Sequence, residues 1–581
     1  MEEKKVLLSV NDLEVKFRVR GRILTAIRGV SLDIYENESI AIVGESGSGK
    51  SVFTKTFAGM LDSNGFINRG NIIFNDPDLA DTSVVMKNSD WTWVRYAKSK
   101  LNEYSKLELG ADIYRQLMEL ESQKKTKSTL SAEEEKQWDE KIADLTFHKV
   151  ETFNLKQTID PKEKAKIKEL NAQIADLEKQ IKDMEAQKAA LIKSHASAAK
   201  QDTAWLAEYN ASKAELKAKY AKAIAGEISQ ETIDRNDILA KEIYLSVGRF
   251  SYRVRIQNLL KLLKAFKKAM RLGINLEDEN ERNGVFDTVV FRVRYLDETE
   301  EKLHGTCILN LAKVKYSKDW TQIRGGKIAT VFQDPMTSLN PIITIGKQIT
   351  SVILKHQNCS ELEARSRALM LMKKVGIPNA ENRFDDYPFQ YSGGMRQRIV
   401  IAIALSCQPK ILICDEPTTA LDVTIQAQIL RLLKQLQKEF NFTIVFITHD
   451  LGVVANIADR VAVMYAGQIV ELGTVEDVFY DPRHPYTWAL LSSLPQLAQR
   501  NTKLYSITGT PPSLYNEIVG DPFAPRNPYC LKIDTLKDSP MFKVSETHFA
   551  KTWMLDPRAP KVEKPEIIQN IHEKLMRAFN I

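Results

Sequence analysis

The sequence predicts an α/β fold that is interrupted by a long helical insert. Two short apolar runs, residues 40–43 and 411–414, have the length and composition of buried strands in a parallel sheet. The first run leads directly into a glycine-rich loop, and the second ends in two carboxylates. Residues 111–225 contain hardly any Gly or Pro and are rich in Lys, Glu, Ala and Gln, which is typical of long helices.

The glycine-rich loop predicts a phosphate-binding site. It consists of Gly44, Glu45, Ser46, Gly47, Ser48, Gly49, Lys50 and Ser51. The glycines allow backbone N–H groups to converge on an anion, Lys50 adds a point charge, and the Ser51 hydroxyl is suited to magnesium. The alternative interpretation is an ordinary Gly-rich turn.

The two carboxylates after the second apolar run are candidates for metal binding and catalysis. Asp415 at the end of a buried strand would be costly unless it faced a cation, so it is the predicted Mg²⁺ ligand. Glu416 then lies where a general base could accept a proton from an attacking water.

A second anion site is predicted at Ser392, Gly393 and Gly394, which precede a helical apolar pattern over residues 399–405. Ser392 is a good N-cap, and the free N–H groups of a helix N-terminus attract anions. One nucleotide hardly needs both sites on the same subunit. The pattern therefore predicts a head-to-tail dimer, in which this element of one subunit closes on the nucleotide held by the other.

Three further motifs complete the series: Gln333 within residues 331–335, Asp422 within residues 419–422, and His449 within residues 448–450. In this order the motifs resemble the ATP-binding subunits of ABC transporters. The resemblance implies a P-loop ABC-type nucleotide-binding domain with a RecA-like core and a helical signature subdomain, which binds ATP and Mg²⁺. It also implies several residue roles: Gln333 senses the metal and the membrane subunit, His449 contacts the γ-phosphate, and Asp422 lies at the dimer seam. An aromatic residue upstream of the loop stacks on the adenine in such proteins, and Phe17 is the candidate, with a core-filling residue as the alternative.

Four stretches are similar to one branch of this family, the oligopeptide and dipeptide importers, and to their D-type ATPase subunit: residues 332–341, 391–398, 484–487 and 521–526. The resemblance implies ATP-driven oligopeptide import at the cytoplasmic face of the membrane. It implies an F-type partner ATPase, two permease subunits and an external peptide-binding protein. Another solute, such as a dipeptide or nickel, is an alternative.

The cysteine pattern departs from that branch, whose members often carry a cluster suited to an iron–sulfur centre in the tail. This chain has Asp521 and Asn527 at the corresponding positions, and Cys530 is the one cysteine that remains nearby. Because four thiolates normally hold such a cluster, no iron–sulfur centre is predicted. Five scattered cysteines are typical of a reducing cytosol rather than of a disulfide framework.

The resemblance covers roughly residues 5–82 and 309–565, which predicts four segments. They are the first part of the ATPase core (1–82), an inserted helical, coiled-coil-like module (83–308), the second part of the core with the signature (309–480), and a C-terminal accessory region (481–581).

Two apolar stripes within the insert predict an antiparallel helical hairpin, with intermolecular pairing as the alternative. The first stripe has 3-4 spacing interrupted at Lys188, and the second follows a small-residue break. Their members are Ile167, Leu170, Ile174, Leu177, Ile181, Met184 and Leu191, then Leu206, Tyr209, Leu216, Tyr220 and Ala223.

A basic amphipathic helix is predicted further along the insert, and residues 285–295 predict a small sheet that closes it. The apolar face of this helix comprises Ile256, Leu259, Leu260, Leu263, Phe266 and Met270, and its basic residues are Lys261, Lys264, Lys267, Lys268 and Arg271. The basic face either contacts anionic lipid or an acidic partner, or is a solvated face of a helix that packs on its own domain.

The composition favours a peripheral rather than an integral membrane protein. Hydrophobic residues make up 43% of the chain, with no apolar run of 18 residues and no N-terminal signal pattern. A net charge of +7 over 581 residues does not predict nucleic-acid binding. A soluble ABC ATPase acting on DNA or ribosomes is the competing class, disfavoured by the single phosphate loop, the position of the insert and the importer-like tail.

Overall fold

The computed structural model describes residues 4–76, 81–157, 163–248, 250–286, 291–299, 301–314, 320–321, 323–419, 421–493, 507, 509–515, 518–565, 568–569 and 571. The chain divides into two compact units. The first comprises Met1–Phe17, Leu24–Asp76 and Val314–Ile581, and the second comprises Arg18–Ile23 and Pro77–Lys313. The four predicted segment boundaries stay predictions.

The secondary structure of the described residues alternates between strands and helices. The strands are β1 (Val6–Val19), β2 (Arg22–Tyr35), β3 (Ser39–Val43), β4 (Gly65–Phe74), β5 (Asp81–Val85), β6 (Phe291–Glu298), β7 (Lys302–Asn310), β8 (Ile328–Val331), β9 (Ile411–Asp415), β10 (Thr443–Thr448), β11 (Arg460–Tyr465), β12 (Gln468–Thr474), β13 (Phe542–Lys543) and β14 (Phe549–Ala550). The helices are α1 (Lys50–Phe57), α2 (Asn88–Ser105), α3 (Ala111–Ser128), α4 (Ala132–Gln157), α5 (Lys164–Gln201), α6 (Thr203–Ala223), α7 (Gln230–Val247), α8 (Tyr252–Leu272), α9 (Glu279–Phe286), α10 (Pro335–Ser338), α11 (Ile345–His356), α12 (Glu361–Lys374), α13 (Ala380–Arg383), α14 (Gly393–Leu405), α15 (Val423–Phe440), α16 (Leu451–Ile457), α17 (Val475–Tyr480) and α18 (Pro485–Ser492).

The first unit is built on a mainly parallel sheet with the strand order β13-β14-β12-β11-β3-β10-β9-β8. Every residue of β3 and β10 is buried, as expected for continuous apolar strands that are covered on both faces. Strand β10 runs parallel to both β3 and β9, with Thr448 paired to Val43 and Ile447 paired to Asp415. The segments that follow these three strands therefore emerge side by side at one edge of the sheet. The predicted α/β class is confirmed.

Helices α11, α12 and α14 cover the β8 and β9 side of this sheet in one continuous apolar core. Their buried side chains include Ile349, Ile353, Ala368, Leu371 and Ile401, packed with Leu412 of β9. Next to this core, α14 begins at the predicted second anion site, and its N-terminus is exposed at Gly393.

The second unit is mainly helical, and α5 is its longest helix at 38 residues. The ion pairs Lys188–Asp139 (2.6 Å) and Lys149–Glu178 (2.8 Å) show that α5 packs antiparallel to α4. Helix α6 instead packs antiparallel to α3. The predicted hairpin between the two apolar stripes is therefore wrong in its pairing, because each stripe finds its partner on a helix that precedes both of them. Lys188, the interruption in the first stripe, is accommodated by Asp139.

Helix α8 is the predicted basic amphipathic helix, with one difference in its apolar face. Leu259, Leu263, Phe266 and Met270 are buried within the second unit together with Leu262, whereas Leu260 is 41% exposed. The basic side chains of α8 named above are exposed. The apolar face thus packs on its own unit, and a lipid or partner contact of the basic face stays a prediction. Within the described residues, no helix is long and apolar enough to cross a bilayer.

The predicted sheet over residues 285–295 is partly wrong. Val285 and Phe286 end helix α9, and strand β6 begins at Phe291, while residues 287–290 lie outside the described residues. The Phe286 ring packs edge-on against Phe266 at 5.1 Å, so tertiary packing overrides the local β-propensity. Strands β6 and β5 both pair antiparallel with β7.

The C-terminal region shares an apolar core with the main sheet. Tyr486, Trp488 and Phe523 pack with Val43 of β3 and Tyr465 of β11. His484 caps α18 by accepting a hydrogen bond from the N–H of Tyr486, and it is fully buried. Burial, with a smaller contribution from Lys551, lowers the pKa of His484 to about 3.

We expect His484 to make the stability of the protein depend on pH. Its pKa falls from 6.5 in the unfolded chain to about 3 in the folded one. Between these two pH values the imidazole is protonated in the unfolded state and neutral in the folded state. Stability is therefore lost as the pH falls from 6.5, with a slope of at most about 1.4 kcal/mol per pH unit from this residue. Thermal denaturation across this range should show a shallower slope for His484→Asn, which keeps a capping side chain. An unchanged slope would contradict the assignment.

Candidate nucleotide site

The phosphate loop connects β3 to α1, and its lysine points back into the loop. Lys50 Nζ donates to the carbonyl oxygens of Gly44 (2.8 Å) and Glu45 (2.9 Å), and the residue is 6% exposed. Burial lowers the pKa of Lys50, while Glu416 and Asp415 oppose this shift. The ammonium group is thus held close to the loop amides, where a phosphate group would replace its carbonyl partners.

Gly44 is the position in the loop where the backbone leaves least room. Its φ is +153°, and a Cβ there would lie 2.1 Å from the carbonyl oxygen of Met464. Because a carbonyl of β11 cannot move independently of its sheet, a larger residue must displace the loop.

We expect Gly44→Ala to destabilise the protein by about 1–3 kcal/mol, the usual range for overpacking a tight site. The displaced loop should also bind nucleotide more weakly. Melting temperature and nucleotide titration measure the two effects. Gly284→Ala is the matched control, because a Cβ at Gly284 meets nothing within 4 Å. Equal behaviour of the two variants would contradict the prediction.

Asp415 and Ser51 lie together at the mouth of the loop. The Ser51 hydroxyl donates to Asp415 Oδ1 at 3.0 Å. Burial raises the pKa of Asp415, and the hydrogen bond from Ser51 opposes this shift. A hydroxyl and one carboxylate are a suitable donor set for Mg²⁺, which usually takes few protein ligands and completes its shell with phosphate oxygens and water. The residues present therefore fit the metal.

Glu416 is held by three side chains. Its Oε2 accepts from Gln333 Nε2 and from the Thr419 hydroxyl, each at 3.1 Å, and its Oε1 lies 3.3 Å from His449 Nδ1. Its φ is +45°, a left-handed conformation that is uncommon for a residue with a Cβ and is often found at active sites. The carboxylate is thus fixed in position before any substrate binds.

A cavity of about 390 Å³ lies within the first unit, and His449, Gly44, Glu45 and Ser48 are not among its lining residues. Its polar end is formed by the loop and by Gln333, Asp415 and Glu416. Sequence reasoning missed four other lining residues, Leu24, Ala26, Val52 and Leu514. Leu24 and Ala26 belong to β2, whereas Leu514 comes from the C-terminal region, and no sequence motif marks any of them.

The structure does not bring every predicted site residue to this cavity. Phe17 is not among its lining residues, since its ring lies against Gly65, where an added Cβ would be 2.7 Å away. Ser392 caps α14 by accepting from the Met395 N–H, and Asp422 caps α15 by accepting from the Ile425 N–H. A Cβ on Gly394 would meet Ile425 at 2.8 Å, so these two helix starts are neighbours. The roles predicted for Phe17, Ser392, Gly393, Gly394 and Asp422 stay predictions.

The tail positions considered for an iron–sulfur centre make local backbone contacts. Asp521 accepts a hydrogen bond from the Phe523 N–H, and Asn527 accepts one from the Tyr529 N–H. Burial raises the pKa of Asp521 to about 6. The predicted absence of a cluster stays a prediction.

The arrangement can bind a nucleoside triphosphate and activate water against it. A glycine loop between a buried strand and a helix, a buried lysine, a hydroxyl–carboxylate pair and an oriented second carboxylate together define a P-loop ATPase. The sequence profile of the family described as "ABC transporter" matches residues 27–261 and 293–419. The chain belongs to this family. A second profile, described as "Oligopeptide/dipeptide transporter, C-terminal region", matches residues 470–533.

Relatives that match a little under half of this chain occur in several bacteria. The chain is 68% identical over 266 residues to the oligopeptide transport ATP-binding protein AmiE of Streptococcus pneumoniae, covering 46% of this chain and 75% of the relative. It is 59% identical over 263 residues to OppD of Bacillus subtilis, covering 45% and 74%. It is 42% identical over 313 residues to OppD of Mycoplasma genitalium, covering 47% and 78%.

Proposed function

We propose that the chain is the ATP-hydrolysing subunit of an importer that takes up oligopeptides. The observation that carries this proposal is the match of residues 470–533 to the oligopeptide/dipeptide transporter C-terminal region, on the same chain as an assembled ATPase site. The names of the relatives, oligopeptide transport ATP-binding proteins, support the same solute class.

In this proposal the described side chains divide the chemistry of ATP hydrolysis. Lys50 and the loop amides neutralise phosphate charge, and Glu416 accepts a proton from the attacking water. Ser51, Asp415 and Gln333 would hold Mg²⁺, which when bound would supply further charge neutralisation at the phosphate oxygens. In this proposal His449, whose Nδ1 lies 3.3 Å from Glu416 Oε1, would contact the γ-phosphate.

A second ATPase subunit completes the site. The N-terminus of α14 carries Ser392, Gly393 and Gly394, none of which lines the cavity of its own chain. A 13-residue helix presents unpaired N–H groups at its start, which suit a phosphate group held by another subunit. We infer a head-to-tail dimer with an F-type ATPase subunit, with Asp422 at the seam.

The proposal places the chain at the cytoplasmic face of the membrane, with two permease subunits and an external peptide-binding protein. Exposed apolar side chains next to Gln333 support a protein contact there. Phe332, Met336 and Phe389 are 42%, 62% and 70% exposed, and Arg396 contacts both Met336 and the Phe389 carbonyl.

The test is uptake of labelled oligopeptides by cells that are depleted of this chain and complemented with defined variants. Uptake should be restored by the wild type and by Glu361→Gln, an amide substitution at an exposed position on α12, but not by Glu416→Gln. Labelled dipeptide and nickel are measured in parallel. If the chain restores uptake of only the dipeptide or nickel, that solute is the substrate instead of oligopeptides. If depletion of the chain does not change uptake, a soluble ATPase acting on DNA or ribosomes is favoured.

A further inference from the structure

The phosphate loop is tied to the C-terminal region through one of its own side chains. Arg526 donates two hydrogen bonds to the Glu45 carboxylate, from Nη1 to Oε2 (2.7 Å) and from Nη2 to Oε1 (3.1 Å). The two residues are 481 positions apart in the sequence. Such parallel bidentate pairs fix the orientation of both groups, which a lysine cannot reproduce.

This ion pair lies on a packed aromatic cluster. The side chain of Arg526 is 5% exposed, and its Nη1 also donates to the Tyr465 hydroxyl at 3.2 Å. The Glu45 N–H donates to the Tyr486 hydroxyl at 2.8 Å. Phe523 packs edge-on against the rings of Tyr465 and Tyr486, at 5.3 and 5.4 Å. Both the side chain and the backbone of Glu45 are therefore held from outside the loop.

The same loop residue contacts the group that would meet phosphate. The Glu45 carbonyl accepts a hydrogen bond from Lys50 Nζ, so the position of Glu45 sets the position of the ammonium group. The C-terminal region also reaches the cavity directly through Leu514, whose carbonyl accepts from the Thr25 N–H at 3.1 Å. Two separate contacts thus link the C-terminal region to the nucleotide site.

We propose that the C-terminal region holds the phosphate loop in its nucleotide-binding conformation through the Arg526–Glu45 pair, and that Arg526 is a positioning residue for ATP. This inference rests on ATP binding by the chain and not on which solute is transported. A loop that contains several left-handed glycines is costly to order, and an anchor outside it removes part of that cost before the nucleotide arrives. The pair should therefore act on nucleotide affinity and leave the chemical step largely alone.

The experiment uses the purified full chain, a fluorescent ATP analogue with Mg²⁺, and a double-mutant cycle. Arg526→Gln and Glu45→Gln should each raise the Kd for the analogue by about 5- to 20-fold, less than the full loss of a charged hydrogen-bonded pair, because the pair acts on the nucleotide only through the loop. The Kd of the double variant should be at most about 2-fold higher than that of the weaker-binding single variant. The first substitution already breaks the ion pair, so the second one has no further interaction to remove. The KM for ATP should rise with the Kd, while kcat should change little. The Kd of Arg526→Lys should lie between those of the wild type and Arg526→Gln.

Arg558→Gln is the matched control, because Arg558 forms an exposed pair with Asp556 in the same region, and its Kd should equal that of the wild type. Multiplicative effects in the double variant, or an unchanged Kd in both single variants, would overturn the proposal. If Arg526→Gln does not fold, Glu45→Gln alone decides: a raised Kd at an unchanged melting temperature supports the proposal, and an unchanged Kd overturns it. If the wild type hydrolyses ATP and the cycle fails, only this inference is lost, whereas a wild type that binds no nucleotide overturns the proposed function as well.

Discussion

Glu416→Gln should reduce ATP turnover by about 10²- to 10⁴-fold, the usual contribution of a general base, while nucleotide binding persists. The amide is nearly isosteric with the carboxylate, and an amide oxygen can still accept hydrogen bonds from Gln333 and Thr419. The amide cannot accept a proton from water at neutral pH. Because the loop and Lys50 are untouched, nucleotide affinity should change little, and bound ATP should hold the dimer closed.

Single-turnover hydrolysis and nucleotide titration, performed on the chain with its partner subunits, separate these two effects. Glu361→Gln introduces the same amide at an exposed position on α12 and should behave as the wild type. Turnover by Glu416→Gln within about 10-fold of the wild type would assign the base to another group. Weak nucleotide binding by the variant would instead place Glu416 in ground-state recognition.

The parts of the site that lie on short local patterns could be predicted from the sequence. Gly44 to Ser51 follow β3, and Asp415 ends β9, so the parallel register that pairs β10 with both strands brings them together. Glu416 and His449 then emerge at neighbouring strand ends and meet at 3.3 Å. The proximity of these residues can be predicted from the sequence because the carboxyl-terminal ends of parallel strands lie at the same edge of a sheet.

Contacts between distant segments could not be predicted in the same way. Leu514 lines the cavity and Arg526 binds Glu45, yet neither belongs to a motif with a chemical signature. Arg526 is visible in the sequence only within a stretch that resembles the peptide importers. The packing of Phe17 on Gly65 could not be predicted either, because an aromatic residue upstream of the loop has no local pattern that fixes where its ring lies, and its base-stacking role stays a prediction.

The insert shows why helix partners are harder to predict than helices. Both predicted apolar stripes lie on helices, α5 and α6. The spacing of apolar residues along a helix does not determine which other helix packs against that stripe. The pairing depends on specific charges, such as Asp139 on α4, which meets Lys188, and Glu121 on α3, which meets Lys213. The predicted hairpin was wrong because it paired the two striped helices with each other, whereas α4 and α3, which precede both stripes, are their partners.

Lys50→Ala should raise the Kd for ATP by about 10- to 100-fold, which corresponds to about 1.5–3 kcal/mol for hydrogen bonds to a charged group. Lys50 is 6% exposed, its ammonium group is partly solvated by the Gly44 and Glu45 carbonyls, and burial lowers its pKa. A triphosphate supplies a stronger partner than two carbonyls, so the residue contributes more to the bound state than to the free one. Its loss should therefore reduce affinity far more than it reduces folding stability.

Nucleotide titration and thermal denaturation of the same preparation test this difference, with Lys434→Ala on the exposed face of α15 as the control. The control should match the wild type in both measurements. Lys50→Ala should lose affinity with only a small change in melting temperature, since the two carbonyls it releases can be solvated at the cavity mouth. If Lys50→Ala lost stability and affinity to the same extent, the main role of Lys50 would be to stabilise the loop. Phosphate binding would then depend on the backbone amides and on the Arg526–Glu45 ion pair that positions the loop.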